Sequence, residues 1–507
     1  MKHLNRLRAG FLAALSGALL IFCFPGWNFG WVAWGALVPL LISLRGASGW
    51  EAFRRGWLAL FVAGVGTLYW IYPTCRAGGV NVPTSLLALA ALAGYCALYG
   101  GAFAWAARRF EPLPGYFRPF ALAAAWVALE FLRTYLLTGF PWLLLAYSQW
   151  NHPFVLPLAG VGGAYAVSFL IVLANGVLVE VLRSPARRAT VFPGLVLMGA
   201  LLLGAGLRSA PTKENKGPSA GGTVLKVAVV QGNIDQYKKW DQAYEDEIVE
   251  TFSRLTREAA KEPSDLIIWP ETSVPGWFPN DPRWVKWVGG LANEVKTPLL
   301  VGAVTRDGGD YNAAFLVDPS DGIVARYRKR HLVPFGEFVP FERLFGSWIP
   351  ALGAMGDFDA SDDETVFRIS SGMFSANICF ESLFPDLVRR SVRAGGGFTV
   401  NMTNDGWFLG TSAAEQHFAA AVFRAVENRA WEVSATNTGV SAFIDPSGRV
   451  TCRLERGRVG ILRGEVVPDS RGTIYTRFGD VFAWGCAGLI FVTCMLLFVK
   501  ETLMAQS

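Results

Sequence analysis

The sequence predicts a two-part molecule: a multi-span α-helical membrane bundle of about eight spans, joined to an α/β domain held outside the cytoplasm. Three observations carry that prediction. Of the 507 residues, 52% are hydrophobic and only 17% are charged, with a mean hydropathy of +0.33, whereas soluble chains carry about a quarter charged residues. Long apolar runs crowd the first 210 residues and return once near the C-terminus. Between them the pattern changes to short β-branched or apolar runs separated by helix-length segments.

Seven apolar segments lie near 9–25, 29–45, 56–74, 84–107, 119–138, 154–182 and 190–207, and an eighth near 481–499. Crossing a hydrocarbon core takes roughly 17–25 helical residues, so each is a candidate span. The opening stretch MKHLNRLRAGFLAALSGALLIFCF has the basic head and apolar run of a signal peptide. Further apolar segments follow at once and no small-x-small site closes it, so it reads as an uncleaved first span.

Loop charges set the expected orientation. Lys2, Arg6 and Arg8 precede span one; Arg45, Arg54 and Arg55 lie between spans two and three; Arg108, Arg109 and Arg118 between four and five; Arg183, Arg187 and Arg188 between six and seven. The alternate loops offer only Arg76, and GFPWLLLAYSQWNHPF carries no Lys or Arg. Basic loops stay cytoplasmic, which puts both termini inside and the region between spans seven and eight outside. The formal charge of +6 belongs to this loop pattern and argues against a nucleic-acid partner. Seven cysteines, five of them in or beside apolar segments, do not form a disulfide framework; Cys379 and Cys452 lie in the polar half.

The chain therefore divides into seven transmembrane helices over 1–208, a polar linker SAPTKENKGPSAGG over 209–222, an α/β domain over 223–470, and a final transmembrane helix with a short cytoplasmic tail over 471–507. Strands are expected in KVAVVQGN (226–233), DLIIWPE (265–271), PLLVGAV (298–304), AAFLVDP (313–319) and FTVNMTND (398–405), with helices near 242–261, 283–295, 384–394 and 413–431.

Three segments place an ionisable residue at the end of a strand-like run: IIWPETSVPG with Glu271, RYRKRHLVPFGEFVP with Lys329 and Glu337, and SANICFESLFPD with Cys379 and Glu381. Loops at strand ends are where α/β folds put their sites. Each residue alone has a structural reading. Cys379 suits a buried thiol, Glu271 a carboxylate at a helix N-terminus, Lys329 a solvated basic turn and Glu337 a loop ion pair. A nucleophilic thiol needs a base or cationic partner. His3 and His152 lie at membrane loops, and His331 and His417 have competing structural readings, so a carboxylate and a lysine are the economical partners.

Together WPE, KRHLVPFGE and NICFE resemble the carbon–nitrogen hydrolase (nitrilase) superfamily in order and spacing across about 250 residues. With the spans added, the whole chain resembles the apolipoprotein N-acyltransferase family of Gram-negative bacteria, and VVQGNIDQYKKW, NMTNDGWF, EQHFAAAVFRAVENR and ATNTGVSAFIDPSG stand where that family has similar stretches. The resemblance implies a nitrilase-like α-β-β-α sandwich on the periplasmic face of the inner membrane and a Glu271–Lys329–Cys379 triad supported by Glu337 and Glu381. It implies acyl transfer, without cofactor or metal, from a phospholipid sn-1 position through a cysteine thioester to the N-terminal amine of a diacylglyceryl-apolipoprotein. Glu271 is then the base, Lys329 stabilises the oxyanion, and Glu337 and Glu381 orient Lys329 and the incoming amine.

Trp240, Phe380, Asn404 and Trp407 are the expected substrate-lining residues, and Trp277, Phe278 and Phe408 join Trp240 and Trp407 as interfacial anchors, acyl-path lining or core. Two departures touch this set: Phe380 stands where many members carry tyrosine, and Leu409 where glycine is common. In span five, Glu130 and Arg133 read either as a neutralising i,i+3 pair or as a phospholipid headgroup contact.

Overall fold

The structure, a computed structural model, describes residues 2–183, 188–209, 223–236, 238–239, 241–340, 358–408, 410–469 and 471–506. Of the features read from the sequence, the linker after Ser209, Arg187, Trp240 and Leu409 lie outside the described residues. The chain forms two compact units, Met1–Ser209 with Phe478–Ser507, and Ala210–Arg477.

In the helical unit the apolar runs become α1 (Lys2–Cys23), α2 (Val38–Ser43), α3 (Gly49–Thr67), α4 (Ile71–Ala77), α5 (Val82–Arg109), α6 (Arg118–Tyr135), α7 (Ala159–Arg183), α8 (Arg188–Ser209) and a C-terminal helix, Val481–Gln506. Among the described residues six helices are long and apolar enough to cross a membrane, and seven if α3 and α4, bent by 48°, count as one. Local chemistry fixes the starts. Ser48 Oγ accepts the Glu51 N–H at 3.2 Å while the Glu51 carboxylate accepts the Ser48 N–H at 3.0 Å, a reciprocal cap. Asn81 caps α5 at 2.9 Å, with Pro83 in the first turn. Where α3 crosses α5 the backbones touch: a Cβ on Gly56 would stand 2.1 Å from the Gly100 carbonyl oxygen, the close approach that small residues permit between apolar helices.

The run 29–45 corrects one expectation. It is not a single span-length helix but a 3-10 turn, Gly30–Trp34, followed by the six-residue α2. Pro39 has no N–H to continue a ladder, and side chains take over the freed bonds. Asn175 Oδ1 on α7 accepts the Leu37 N–H at 2.9 Å, and Ser16 Oγ on α1 accepts the Leu40 N–H at 2.8 Å. Irregular backbone is tolerated at membrane depth only where protein satisfies it. The segment still runs back along α1, since the Phe29 N–H meets the Phe22 carbonyl at 2.9 Å before Leu40 reaches Ser16.

The loops sort by end. Arg108 bonds the Ala47 carbonyl, Arg118 pairs Glu180 at 2.7 Å and Arg109 pairs Glu501 at 2.8 Å. At the far end of α6, Tyr135 reaches Asp480 at 3.0 Å, while Trp150 bonds Asn28 at 3.0 Å and Trp34 bonds Gln149 at 3.1 Å. The arginine-rich loops thus gather at one end and the arginine-poor loops at the other.

The second unit holds two six-stranded sheets. The first has the order β12–β1–β2–β3–β4–β5 and the second β11–β10–β9–β8–β7–β6, with β1 Leu225–Gln231, β2 Leu266–Ile268, β3 Leu299–Arg306, β4 Asp310–Asp318, β5 Gly322–Arg328, β6 Val366–Ile369, β7 Gly372–Ile378, β8 Phe398–Thr403, β9 Trp431–Thr436, β10 Ser441–Ile444, β11 Val450–Leu454 and β12 Gly460–Val466. Each sheet has three parallel strands, β1–β2–β3 and β7–β8–β9, flanked by antiparallel ones. Alternation along β1 explains the layering. Val227 and Val229 join Phe374, Ile378, Val400 and Val433 in the core between the sheets, while Ala228 and Val230 pack with Phe252 and Trp284 of α9 (Glu245–Ala259) and α10 (Pro282–Val295). On the other side α11 (Pro385–Arg393) rests on β7 and β8, and α12 (Ala413–Asn428) on β9. This α-β-β-α order is the one the resemblance implies. Strands buried on both faces read as continuous apolar runs.

Several elements end a few residues earlier than expected, two of them for identifiable reasons. β2 stops before Pro270, which cannot donate to the ladder. The helix expected to reach 431 ends at Asn428 because Arg429 turns left-handed, φ +50°, and Trp431 opens β9.

Gly464 on β12 faces Phe443 of the opposite sheet, and a Cβ there would lie 2.6 Å from the ring. Gly464→Val is expected to overpack this interface and cost about 1–3 kcal/mol, read as a lowered unfolding midpoint of the full-length protein.

Candidate active site

The residues singled out at strand ends converge because the carboxyl ends of parallel strands from both sheets feed one set of loops, the usual position of a site in α/β proteins. Glu271 follows β2 through Trp269 and Pro270. Its turn is fixed by Thr272, whose backbone is left-handed at φ +46°, and by the Ser273 N–H bonding the Gly302 carbonyl at 2.7 Å. β3 must carry glycine there, since a Cβ on Gly302 would stand 2.3 Å from the Pro270 oxygen and 2.7 Å from the Glu271 Cα.

Lys329 leaves β5 fully buried, at 0% exposure. Its Nζ lies 2.9 Å from the Glu337 carboxylate and 3.5 Å from Glu271 Oε1. Asn312 of β4 bridges the same two acids: its Nδ2 donates to Glu271 Oε1 at 2.7 Å and to Glu337 Oε1 at 3.0 Å, and its carbonyl accepts the Lys329 N–H at 2.8 Å. The second Glu271 oxygen accepts the Asn404 N–H at 2.8 Å. Burial alone would discharge Lys329, but Glu337 and Glu271, with the Cys379 sulfur, outweigh it and hold its pKa above the ordinary lysine range. The lysine is a fixed cation.

Cys379 is the first residue of a 3-10 turn, Cys379–Leu383, and its backbone is left-handed at φ +53°. A non-glycine residue held there is strained and needs its surroundings to keep it. Two side chains do so. Glu381, at 0% exposure, accepts the N–H groups of Ile378 at 2.7 Å, Arg330 at 2.7 Å and His331 at 3.1 Å and the Tyr327 hydroxyl at 2.8 Å, tying the cysteine turn to the loop that follows Lys329. His417 of α12 places Nε2 2.8 Å from Ser382 Oγ and 3.1 Å from the Cys379 carbonyl, and Nδ1 3.2 Å from Asp405.

The thiol is half-buried, and its sulfur makes no hydrogen bond among the described residues. Burial pushes its pKa well above the usual thiol range; Glu271 adds to the rise, Lys329 opposes it, and Asp405 and Glu337 add further. Cys379 is therefore a protonated thiol beside a carboxylate and a permanent cation. Such a cluster can ionise sulfur by proton transfer to the neighbouring base as attack occurs, and it offers a positive charge where an oxyanion would form.

Other expected residues take different places. Asn404 is buried; its main chain serves Glu271, while its side chain donates to Gln236 and accepts from Asn437 at 3.0 Å. Trp407 is 43% exposed in the short 3-10 turn Asp405–Phe408. Phe380 is not an open lining residue but is buried against Phe384, 5.2 Å away, and His331, 5.9 Å away. Glu381 is sealed and fully engaged with protein donors, which removes it from contact with an incoming amine. Phe278 belongs to the core beneath β3 and β4, and Trp277 is half-buried under the Arg306 guanidinium, 4.4 Å away, so neither is a free interfacial anchor.

Glu130 and Arg133 belong to the helical unit. Among the described residues they form no ion pair with each other, which corrects the i,i+3 reading. Glu130 Oε1 accepts the Leu145 N–H at 2.7 Å and Arg133 Nη2 donates to the Trp142 carbonyl at 3.2 Å. Both brace the irregular 136–145 segment, where Leu137, Thr138 and Leu143 have left-handed backbones. They also line an apolar hollow with Leu60, Phe103 and Trp126.

Asn312, an amide inside a strand, carries no mark in the sequence, and Lys239 lies within VVQGNIDQYKKW with no task assigned to it. His417 and Asp405 stood inside quoted motifs without an assigned task. Among the described residues no group of three or more His, Cys, Asp or Glu side chains is arranged to hold a metal ion.

Two family models match the chain: apolipoprotein N-acyltransferase N-terminal domain over residues 16–177 and carbon–nitrogen hydrolase over 226–475. The chain is 38% identical to the apolipoprotein N-acyltransferase of Geobacter metallireducens, with 98% of this chain and 96% of that one covered. It is 34% identical to the apolipoprotein N-acyltransferase of Pseudomonas aeruginosa, covering 96% and 95% respectively. Among solved structures, an amidase from Nesterenkonia sp. is similar at 18% identity and a TM-score of 0.40, covering 52% of this chain and 95% of that one.

Glu381→Leu is expected to strand four buried donors at about 1–3 kcal/mol each, and so to lower the thermal midpoint sharply. Glu381→Gln, which keeps one acceptor oxygen, is expected to lose less.

Proposed function

The chain belongs to the apolipoprotein N-acyltransferase family, and from that membership we propose that it moves an acyl chain from the sn-1 position of a phospholipid to the N-terminal amine of a diacylglyceryl-apolipoprotein. The observation that carries this reading is the Glu271–Lys329 contact at 3.5 Å beside a protonated Cys379: base, cation and nucleophile occupy one buried cluster.

In the first half-reaction Glu271 takes the thiol proton as sulfur attacks the ester carbonyl, and Lys329 stabilises the oxyanion. The tetrahedral species collapses, the glycerol oxygen leaves with the proton held by Glu271, and a lysophospholipid departs from a Cys379 thioester. In the second half-reaction the acceptor amine attacks the thioester, Glu271 receives the proton it loses, and collapse forms the amide and regenerates the thiol. Substrates therefore alternate at one site. Glu337 and Asn312 are positioning residues: the first anchors the lysine and the second keeps both acids aligned with it.

Both substrates carry acyl chains, which fits a site tethered to a membrane bundle. The gathering of arginine-rich loops at one end of the helical unit supports a topology with both termini cytoplasmic and the α/β unit on the periplasmic side of a bacterial inner membrane. The exposed Trp407 suits contact with lipid or acyl chain.

Incubating the purified full-length protein with a phospholipid radiolabelled in its sn-1 chain tests the proposal. Wild type is expected to carry label on Cys379 and release lysophospholipid. Cys379→Ser is expected to show no hydroxylamine-labile label, and Glu271→Gln to form it about 10²- to 10⁴-fold more slowly. Labelling retained in the serine variant, or ammonia release from small amides in place of lysolipid formation, overturns the assignment.

A further inference from the structure

One buried lysine beside Glu271 takes no part in the acyl transfer. Lys239 lies in the loop after β1, at 4% exposure, and its Nζ donates to the main-chain carbonyl of Glu271 at 2.8 Å. That is its single hydrogen bond among the described residues, although an ammonium has three donors to satisfy. The stretch Ile234–Gln236 that precedes it is fixed independently of the lysine. Gln236 bonds the Asn404 amide, and Asn437 bonds both the Ile234 carbonyl at 2.8 Å and Asn404 Oδ1 at 3.0 Å. The Ile234 N–H returns to Asn437 Oδ1 at 2.9 Å. A long, costly side chain is thus brought by a braced loop to the back of the base and within electrostatic reach of the nucleophile.

We propose that Lys239 is a further positioning residue of the acyl-transfer site, holding the Glu271 turn through its carbonyl and setting by its own charge how readily Cys379 ionises. The inference deepens the functional reading and rests on Cys379 being the nucleophile.

The physical case follows from the surroundings. Burial drives the Lys239 pKa down to about 7, while the charges of Glu271 and Cys379 act to raise it. Lys329 cannot take this part, because its two carboxylates keep it charged throughout. The thiol also faces Glu271, Asp405 and Glu337, all of which oppose its ionisation, so a second nearby cation has leverage. Below pH 7 Lys239 is an ammonium and favours the thiolate. Above pH 7 the resting site holds neutral amine and thiol, a pair with the same proton count as ammonium and thiolate. Exchange between those two states takes no proton from solvent, so the thiolate population levels off over about one pH unit, until thiolate beside the neutral amine overtakes it near pH 8.

This gives a profile that packing alone does not produce. The full-length protein is alkylated with iodoacetamide from pH 5.5 to 9, and the rate at Cys379 is read from its peptide by mass spectrometry, apart from the other six cysteines. In wild type the logarithm of the rate is expected to rise with pH and flatten near pH 7. Lys239→Met is expected to fall about tenfold below wild type at pH 7, one pK unit of lost thiolate stabilisation, and to keep climbing to pH 9. Lys239→Arg, always charged, is expected to lose the bend and to exceed wild type above pH 8. Profiles that superimpose for all three proteins overturn the proposal, as does a wild-type profile without a bend. If Lys239→Met fails to fold, as judged by its thermal transition, wild type and Lys239→Arg decide the matter: a bend near pH 7 that survives in the arginine variant overturns it. The readout needs no lipid, so its failure is distinct from failure of the acyl-transfer assignment.

Discussion

A lysine ammonium with no solvent contact constrains the rest of the α/β unit. Taking such a charge out of water costs several kcal/mol unless partners compensate. Lys329 meets that demand with Glu337 at 2.9 Å and Glu271 at 3.5 Å, each arriving from a different loop. The acids are in turn aligned by the Asn312 amide and the Asn404 N–H. Removing any one member leaves a buried charge or donor unmatched, so the loops after β2, β5 and β8 are held together by electrostatics as well as by the core beneath them. Burial, with the surplus negative charge that two carboxylates leave around one lysine, keeps the Cys379 thiol protonated.

The sandwich is what allows loops distant in sequence to meet. Val227, Val229, Ile268, Ile378 and Val400 lock the sheets face to face, bringing the carboxyl ends of β1 and β2 beside those of β7 and β8. Glu381 then performs the fine adjustment, since one carboxylate accepting from both Ile378 and Arg330 fixes the strained cysteine relative to the lysine loop. Lys239 adds a further tie, at the main-chain carbonyl of Glu271.

The helical unit solves a related problem with polar side chains inside apolar surroundings. Asn175, Ser16, Glu130 and Ser168 each accept a backbone N–H that has no helical partner, at 2.9, 2.8, 2.7 and 3.0 Å. These bonds let the chain depart from helix in 29–45 and 136–149 where lipid could not satisfy it. Glu130 and Arg133 stand out in the sequence as charges in a span, and both readings offered for them assumed a charged partner. Within the protein, Glu130 accepts a backbone N–H and Arg133 donates to a backbone carbonyl of the neighbouring loop, contacts that no residue pattern reveals.

The sequence by itself determined the split into a membrane bundle and an α/β unit, most element positions, and the identities of Glu271, Lys329, Glu337 and Cys379 as one candidate set. Apolar length, loop charge and strand-end motifs are local properties of the chain. Tertiary structure decided what depends on distant groups meeting. It broke the 29–45 run, because Asn175 and Ser16 supply the missing acceptors; it buried Phe380 and Glu381 as supports of the cysteine turn; and it brought Asn312 and Lys239 to the acids. An amide in the middle of a strand, or one lysine of two in YKKW, carries no signal until folding removes its water and fixes its partner. The chemistry of such residues lies in their burial, which is a property of the fold.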